Sequence, residues 1–192
     1  MEANKIIDSK SFIKVFDGIK LDTIRRNSSR SLNWLFNKIK NSKYDTKRFT
    51  GKPKIGGMYV YNYDAKTKEK LPYWDATPII ILIDYTDNGF YGINWHYLPP
   101  SERKVLLKNI LIFDTGKSPQ FLKEPYRKLR ILSTTIWKFA YKRYLWSHVK
   151  TKFVPIMKEE WVEAAALPIA NFRKSATTVI YKDARLFAKK GK

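Results

Sequence analysis

Cysteine is absent, histidine occurs twice, glycine is limited to 8 of 192 residues, and 17 acids face 38 Lys and Arg. Without cysteine there is no disulfide framework, no thiolate nucleophile and no cysteine-ligated zinc, and two histidines leave little for any other transition-metal centre. The few glycines form no phosphate cradle: GKPKIGG at 51–57 lacks the Walker spacing, and GxGxxG does not occur. Long apolar runs are missing too. The strongest, PIIILI at 78–83, is about one third of the roughly 20 residues a membrane span needs. The first residues, MEANKIIDSKSFIKVF, lack the pattern of a signal peptide, so a soluble protein in a reducing compartment is expected.

What is present is an apolar fraction of 44%, aromatics at 15% and a formal charge of +21. The first two figures are enough for a packed core and exclude disorder across the whole chain. The charge is unevenly placed. Residues 1–50 carry 12 basic and 5 acidic side chains, 51–100 carry 5 and 5, 101–150 carry 12 and 3, and 151–192 carry 9 and 4. A neutral segment between basic ones is not a uniform solubility coat, and it points to a polyanionic partner. Nucleic acid is favoured over a membrane, because the basic stretches are rich in Tyr and Trp and show no clean lipid-seeking face.

Hydrophobic spacing predicts the elements. Phe12, Val15, Phe16 and Ile19 fit a short helix, and Leu32, Leu35, Phe36 and Ile39 a second one over 29–40, capped by Ser29. In GGMYVYNYD, tyrosines at 59, 61 and 63 alternate with Met58, Val60 and Asn62, the period of a strand. Residues 79–83 fit a strand buried on both faces. TDNG at 86–89 predicts a hairpin, with Asn88-Gly89 able to take positive φ, leading into FYGINWHYL as a third strand. Ser101 is placed to cap a helix that buries Leu106, Leu107, Ile110 and Leu111. A long helix is predicted over 133–149, with Ile136, Phe139, Ala140 and Tyr144 as its stripe. Further on, 153–157 fits a strand, 159–167 a short helix and TTVIY at 177–181 a last strand, followed by a frayed tail.

These elements describe an α+β fold: a small curled antiparallel sheet of about five strands, SH3-like or barrel-like, with four or five flanking helices. Residues 1–50 are expected to be a basic helical extension. Residues 51–192 are expected to be one α+β domain, with a neutral β meander at 56–98 and a basic helical and C-terminal part at 101–192.

Catalytic constellations are hard to assemble from this chain. Asp64, Glu69, Asp75, Asp84 and Asp87 do not pair with lysines at the spacing a metal-dependent nuclease requires, and Asp75 is expected to cap a turn. His96 lies in a predicted strand and His148 near the end of a predicted basic helix, with no serine elbow or acid partner at recognisable spacing. His96 is therefore expected to be structural. No metal, cofactor, small-molecule substrate or enzymatic activity is expected.

The densest constellation is cationic. Lys123, Arg127, Lys128, Arg130, Lys138, Lys142, Arg143, Lys150 and Lys152 face the single acid Glu124 across that stretch. Such cations neutralise phosphates and release counterions whatever the base sequence. Arg25, Arg26 and Arg30 in RRNSSR form a second candidate phosphate-contacting loop. Most of the interleaved rings belong to the core; Tyr141 and Trp146 are the candidates for stacking on unpaired bases.

The text GGMYVYNYDAKTKEKLPYWDATPIIILID, followed by GFYGINWHYLPPSER, resembles a family encoded by large contractile-tailed bacteriophages, the DNA end protector proteins of phage heads. The resemblance rests on Gly57, Met58, Tyr59, Tyr63 and Asp64, on Leu71, Pro72, Trp74, Asp75 and Pro78, and on Gly89, Gly92, Asn94 and His96 through Pro100. EEWVEAAALPIANFRK and VIYKDAR also look like its C-terminal half. Trp74 stands where the family pattern has tyrosine. The resemblance spans roughly residues 50–190 and leaves the first 50 unassigned. It implies a virion protein, present in the host cytoplasm during assembly, that binds the end of packaged DNA near the portal and shields it from nucleases without catalysis.

Two other classes compete with this reading. One is a baseplate, neck or tail component whose basic surface meets acidic protein neighbours. The other is a toxin-like ribonuclease, since small barrels with similar strands use arginine and a hydroxyl in place of metal. No arginine lies in the meander at 56–98, which argues against the latter.

Overall fold

The computed structural model describes Asn37, residues 52–113, 136–161, 164 and 170–190. The predicted helix at 12–19 lies outside them, and from 29–40 only Asn37 is described, helical and exposed. Strand β1 is Met58–Val60, β2 Trp74–Asp75, β3 Ile79–Thr86, β4 Gly89–Asn94, β5 Tyr141–Leu145, β6 Val154–Ile156 and β7 Phe172–Arg173. Helix α1 is Pro100–Phe113, α2 Ile136–Ala140 and α3 Thr177–Lys190. The larger sheet has the order β5-β4-β3-β1-β6, antiparallel throughout, and β2 pairs with β7 in a separate two-stranded sheet. The class is α+β, as expected. The flanking helices number three among the described residues, fewer than predicted.

Strand β3 explains why two layers form. Successive side chains of a strand point to opposite faces. Ile79, Ile81 and Ile83 enter a core with Leu106 and Leu107 of α1, Ile136 and Ala140 of α2, and Ile180 and Ala184 of α3. Ile80 and Leu82 enter a second core with Tyr59, Tyr61, Phe90 and Tyr144. Each buried Ile or Leu contributes about 1.5–3 kcal/mol, so both faces of this strand hold the fold together. The connection from β5 to β6 carries Trp146, Val149 and Phe153 against the aromatic core, covering the face on which no helix packs among the described residues.

Several local predictions differ from the structure. The helix predicted over 133–149 ends at Ala140, and residues 141–145 instead form β5, which pairs with β4 from Ile93↔Tyr141 to Gly89↔Leu145. A free strand edge and the Phe90–Tyr144 stack, with ring centroids at 5.3 Å, outweigh the helical stripe. The predicted strand at 177–181 is the first turn of α3, and the tail expected to fray is its body as far as Lys190. Ile180, Ala184 and Ala188 recur every four residues against the core, a helical period that overrides the β-branched start. The third predicted strand stops at Asn94, whose Oδ1 accepts from the backbone N–H of His96 and caps a 3₁₀ turn at Trp95–Tyr97.

The hairpin is present, with Thr86 opposite Gly89 across Asp87-Asn88. Neither Asn88 nor Gly89 takes positive φ. Gly89 is needed for another reason: a Cβ there would stand 2.0 Å from the Tyr144 carbonyl oxygen. In α1, Pro100 occupies the first helical position, where its missing N–H costs nothing, and Ser101 lies inside the helix rather than capping it.

Candidate nucleic-acid interface

The edge strand β5 places side chains on a groove of about 600 Å³. Its other walls come from residues 63–75, Asn88 and Tyr97, and its cations are Lys66, Lys142 and Arg143. The two-stranded β2–β7 sheet anchors the 63–75 segment, and Lys174 Nζ donates to the carbonyls of Lys68 (2.8 Å) and Glu69 (3.0 Å). Lys174 holds a left-handed backbone at φ 66° to make that reach, a conformation uncommon outside glycine and asparagine.

Behind the groove lies a buried polar network. Asn94 Nδ2 donates to Asp75 Oδ2 (3.0 Å) and to the Tyr144 hydroxyl (3.1 Å), while Thr77 N–H donates to Asp75 Oδ1 (3.1 Å). His96 Nδ1 lies 2.6 Å from Asp75 Oδ2. Burial alone would raise the Asp75 carboxyl, but His96, Asn94 and the Thr77 amide outweigh it and hold the group below the usual carboxylate range. Asp75 is therefore ionised, and the imidazole donates. His96 Nε2 is buried without a hydrogen-bond partner among the described residues. The pair faces the interior, in keeping with the structural role expected of His96, and Asp75 does cap a turn. Its acid partner, however, escaped the sequence reading.

Arg103 is a second buried charge. Its Nε donates to the Leu98 carbonyl (2.8 Å) and its Nη2 to the Tyr181 hydroxyl (2.6 Å), tying the start of α1 to α3. Burial lowers its affinity for a proton, and Tyr181 and Asp75 oppose that shift.

The cations singled out from sequence are distributed as follows. Lys123, Arg127, Lys128, Arg130, Arg25, Arg26 and Arg30 lie outside the described residues. Lys138 on α2, Arg143 on β5, and Lys150 and Lys152 beyond it are exposed. Lys142 is different. Its ammonium sits 4.2 Å from the Tyr97 ring centroid and 4.8 Å from that of Phe139, and burial pushes it down to about 8. Lys138, Lys142 and Arg143 therefore do not share the surface of one helix. Charge reversal at Lys142 would strike packed rings, not only solvent.

Tyr141 stacks on Tyr91 with centroids at 5.1 Å, and Trp146 packs on Phe90 at 4.5 Å, so both rings are engaged with other rings of the protein. The half-buried rings at the groove are Tyr63, edge-on to Tyr144, Tyr73, whose hydroxyl donates to Asp183 and whose ring packs against Tyr97 and Phe172, and Trp74, which has the Lys174 ammonium over one side. Arg143 in β5 also places an arginine in the extended meander, which weakens the argument from its absence there. Among the described residues, no three His, Asp or Glu are grouped to hold a metal ion, and no helix is long and apolar enough to cross a membrane.

No curated protein and no solved structure matches the chain. Residues 5–190 match the family described as phage T4 terminal DNA protecting protein, so the resemblance seen over 50–190 extends into the basic N-terminal segment. A match over nearly the whole length, on a fold whose motif residues build the hairpin, the buried Asp75–His96 pair and the groove wall, places this chain in the phage T4 terminal DNA protecting protein family.

Proposed function

We propose that this protein binds the ends of phage DNA without sequence preference, through its basic surfaces, and shields them from nucleases without catalysing any reaction. The observation that carries the reading is the family match over residues 5–190. The uneven charge supports it. Exposed Lys138, Arg143, Lys150 and Lys152 supply sequence-independent phosphate contacts, and the acids around them are few. Action in the virion, beside proteins of the portal, neck or baseplate, and in the host cytoplasm during assembly belongs to the same proposal.

The test is exonuclease survival of linear DNA. A protein that engages termini blocks digestion at about one or two copies per end and leaves internal restriction sites open, whereas a coating protein protects in proportion to coverage. The variant Lys138→Glu, Arg143→Glu, Lys150→Glu reverses three exposed cations and spares Lys142. A normal melt with lost protection supports the reading. Protection equal to wild type removes this surface from it, and protection appearing only at full coating removes the end-binding role.

A second reading, an assembly component meeting an acidic protein neighbour, draws on α3, where Val179 and Leu186 are exposed beside Lys182, Lys189 and Lys190. It predicts particle assembly defects from substitutions on α3 that leave DNA protection unchanged.

A further inference from the structure

The groove at β5 has a composition that phosphate neutralisation alone does not require. Its volume of about 600 Å³ falls within the range of about 300–1,000 Å³ typical of clefts for small ligands. Its walls are mostly apolar and aromatic. Of its lining residues the sole carboxylate is Asp75, which is turned inward to His96 and Asn94. Lys142 lies half-buried at the groove over two rings, and among the described residues it makes no ion pair. A half-buried ammonium with no counter-charge among the described residues, beside half-buried rings and flanked by Lys66 and Arg143, is a site in want of an anion joined to a flat apolar group. An unpaired nucleotide has both parts.

We propose that the groove takes one unpaired nucleotide at a frayed or overhanging DNA terminus, its base against Tyr73 and Trp74 and its phosphate on Lys142. This rests on the reading of the protein as an end binder and deepens it: the groove would distinguish a terminus from internal duplex, while the exposed cations hold the adjoining backbone. Burial depresses the proton affinity of Lys142, and a phosphate beside it would raise it again.

The experiment uses the full chain and four DNAs of one sequence: a blunt duplex, a duplex with a 3′ unpaired 2-aminopurine, one with a 5′ unpaired 2-aminopurine, and a circle with a one-nucleotide gap opposite the same base. Stacking is expected to quench the terminal 2-aminopurine. At least one overhang is expected to bind about 5- to 150-fold tighter than the blunt end, the range that one stacked base yields. Lys142→Met keeps the aliphatic stem over Tyr97 and Phe139 and removes the charge. It should abolish the quench and the overhang preference while leaving blunt-duplex binding in place. Equal affinity for blunt and overhanging ends without quenching overturns nucleotide capture but leaves end binding standing. Gap binding as tight as overhang binding overturns the terminal preference. A Lys142→Met protein that retains both quench and preference overturns the assignment of the phosphate. Failure to bind any of the DNAs removes this proposal and the end-binding reading together.

Discussion

Asp75 and His96, 21 residues apart in the chain, meet at 2.6 Å in the interior, and Asn94 braces the same carboxylate oxygen from a third position. The interaction fastens the start of the small β2–β7 sheet to the 3₁₀ turn after β4, so the groove wall and the main sheet are held by one buried carboxylate.

Asp75→Ala leaves the Asn94 amide, the Thr77 N–H and His96 Nδ1 without their acceptor. Removing one partner of a buried pair costs about 3–5 kcal/mol, and the loss is expected as a lowered urea midpoint. In wild type, the Asp75 carboxyl is depressed on folding. Its contribution is therefore complete above the ordinary aspartate pKa of about 3.9 and is lost as pH falls through and below that value. Urea titrations at pH 7 and across the acid range check both statements.

Lys142 acts in the same direction, in an alkaline window. Between about 8 and the ordinary lysine value, the unfolded chain holds a proton that the folded chain has released, so this residue makes stability rise with pH across that window. Overhang binding needs the charged form and is expected to weaken as pH rises through about 8. In Lys142→Arg that decline should vanish, because guanidinium stays protonated. Overhang affinity measured at pH 7 and pH 9.5 in both proteins is the check.

Glycines 89 and 92 should not tolerate alanine equally. At Gly89 the new Cβ meets the Tyr144 carbonyl oxygen at 2.0 Å, backbone that cannot yield without breaking the β4–β5 ladder. At Gly92 the nearest atom is Ile80 Cδ1 at 2.8 Å, the end of a side chain that can turn, with Ile80 Cβ at 3.1 Å and the Ile81 carbonyl oxygen at 3.2 Å behind it. Gly89→Ala is expected to cost about 3 kcal/mol and Gly92→Ala about 1 kcal/mol, measured by denaturant unfolding.

Binding to duplex DNA should fall with salt at a log–log slope of roughly −4 to −5, from about 4–6 phosphate contacts. The triple variant at Lys138, Arg143 and Lys150 should flatten that slope by about 3. A slope near zero in wild type would remove nucleic acid as the partner.

Labelled linear DNA and RNA should survive incubation with the protein in magnesium and in chelator alike. Reproducible cleavage abolished by His96→Ala would replace the structural role of that histidine with a catalytic one.

The sequence already carried the α+β class, the double-faced burial of β3, the hairpin at Asp87-Asn88, the core role of Leu106 and Leu107, and the phage family. Each rests on a short-range signal: an alternation, a turn dipeptide, a helical stripe, or a motif whose residues lie close along the chain. The helical nature of 177–190 was also present in the spacing of Ile180, Ala184 and Ala188, and was hidden by stopping at a β-branched start. What could not be read was where β5 goes. IWKFA and YKRYL continue one helical pattern, and only the open edge of β4 converts the second half into a strand. That conversion turns Lys142 from a surface cation into a half-buried one and brings it to a groove whose other wall lies about 70 residues earlier. The Asp75–His96 bond is likewise a long-range event. A carboxylate and an imidazole at arbitrary spacing say nothing about each other until the sheet curls and removes the water between them.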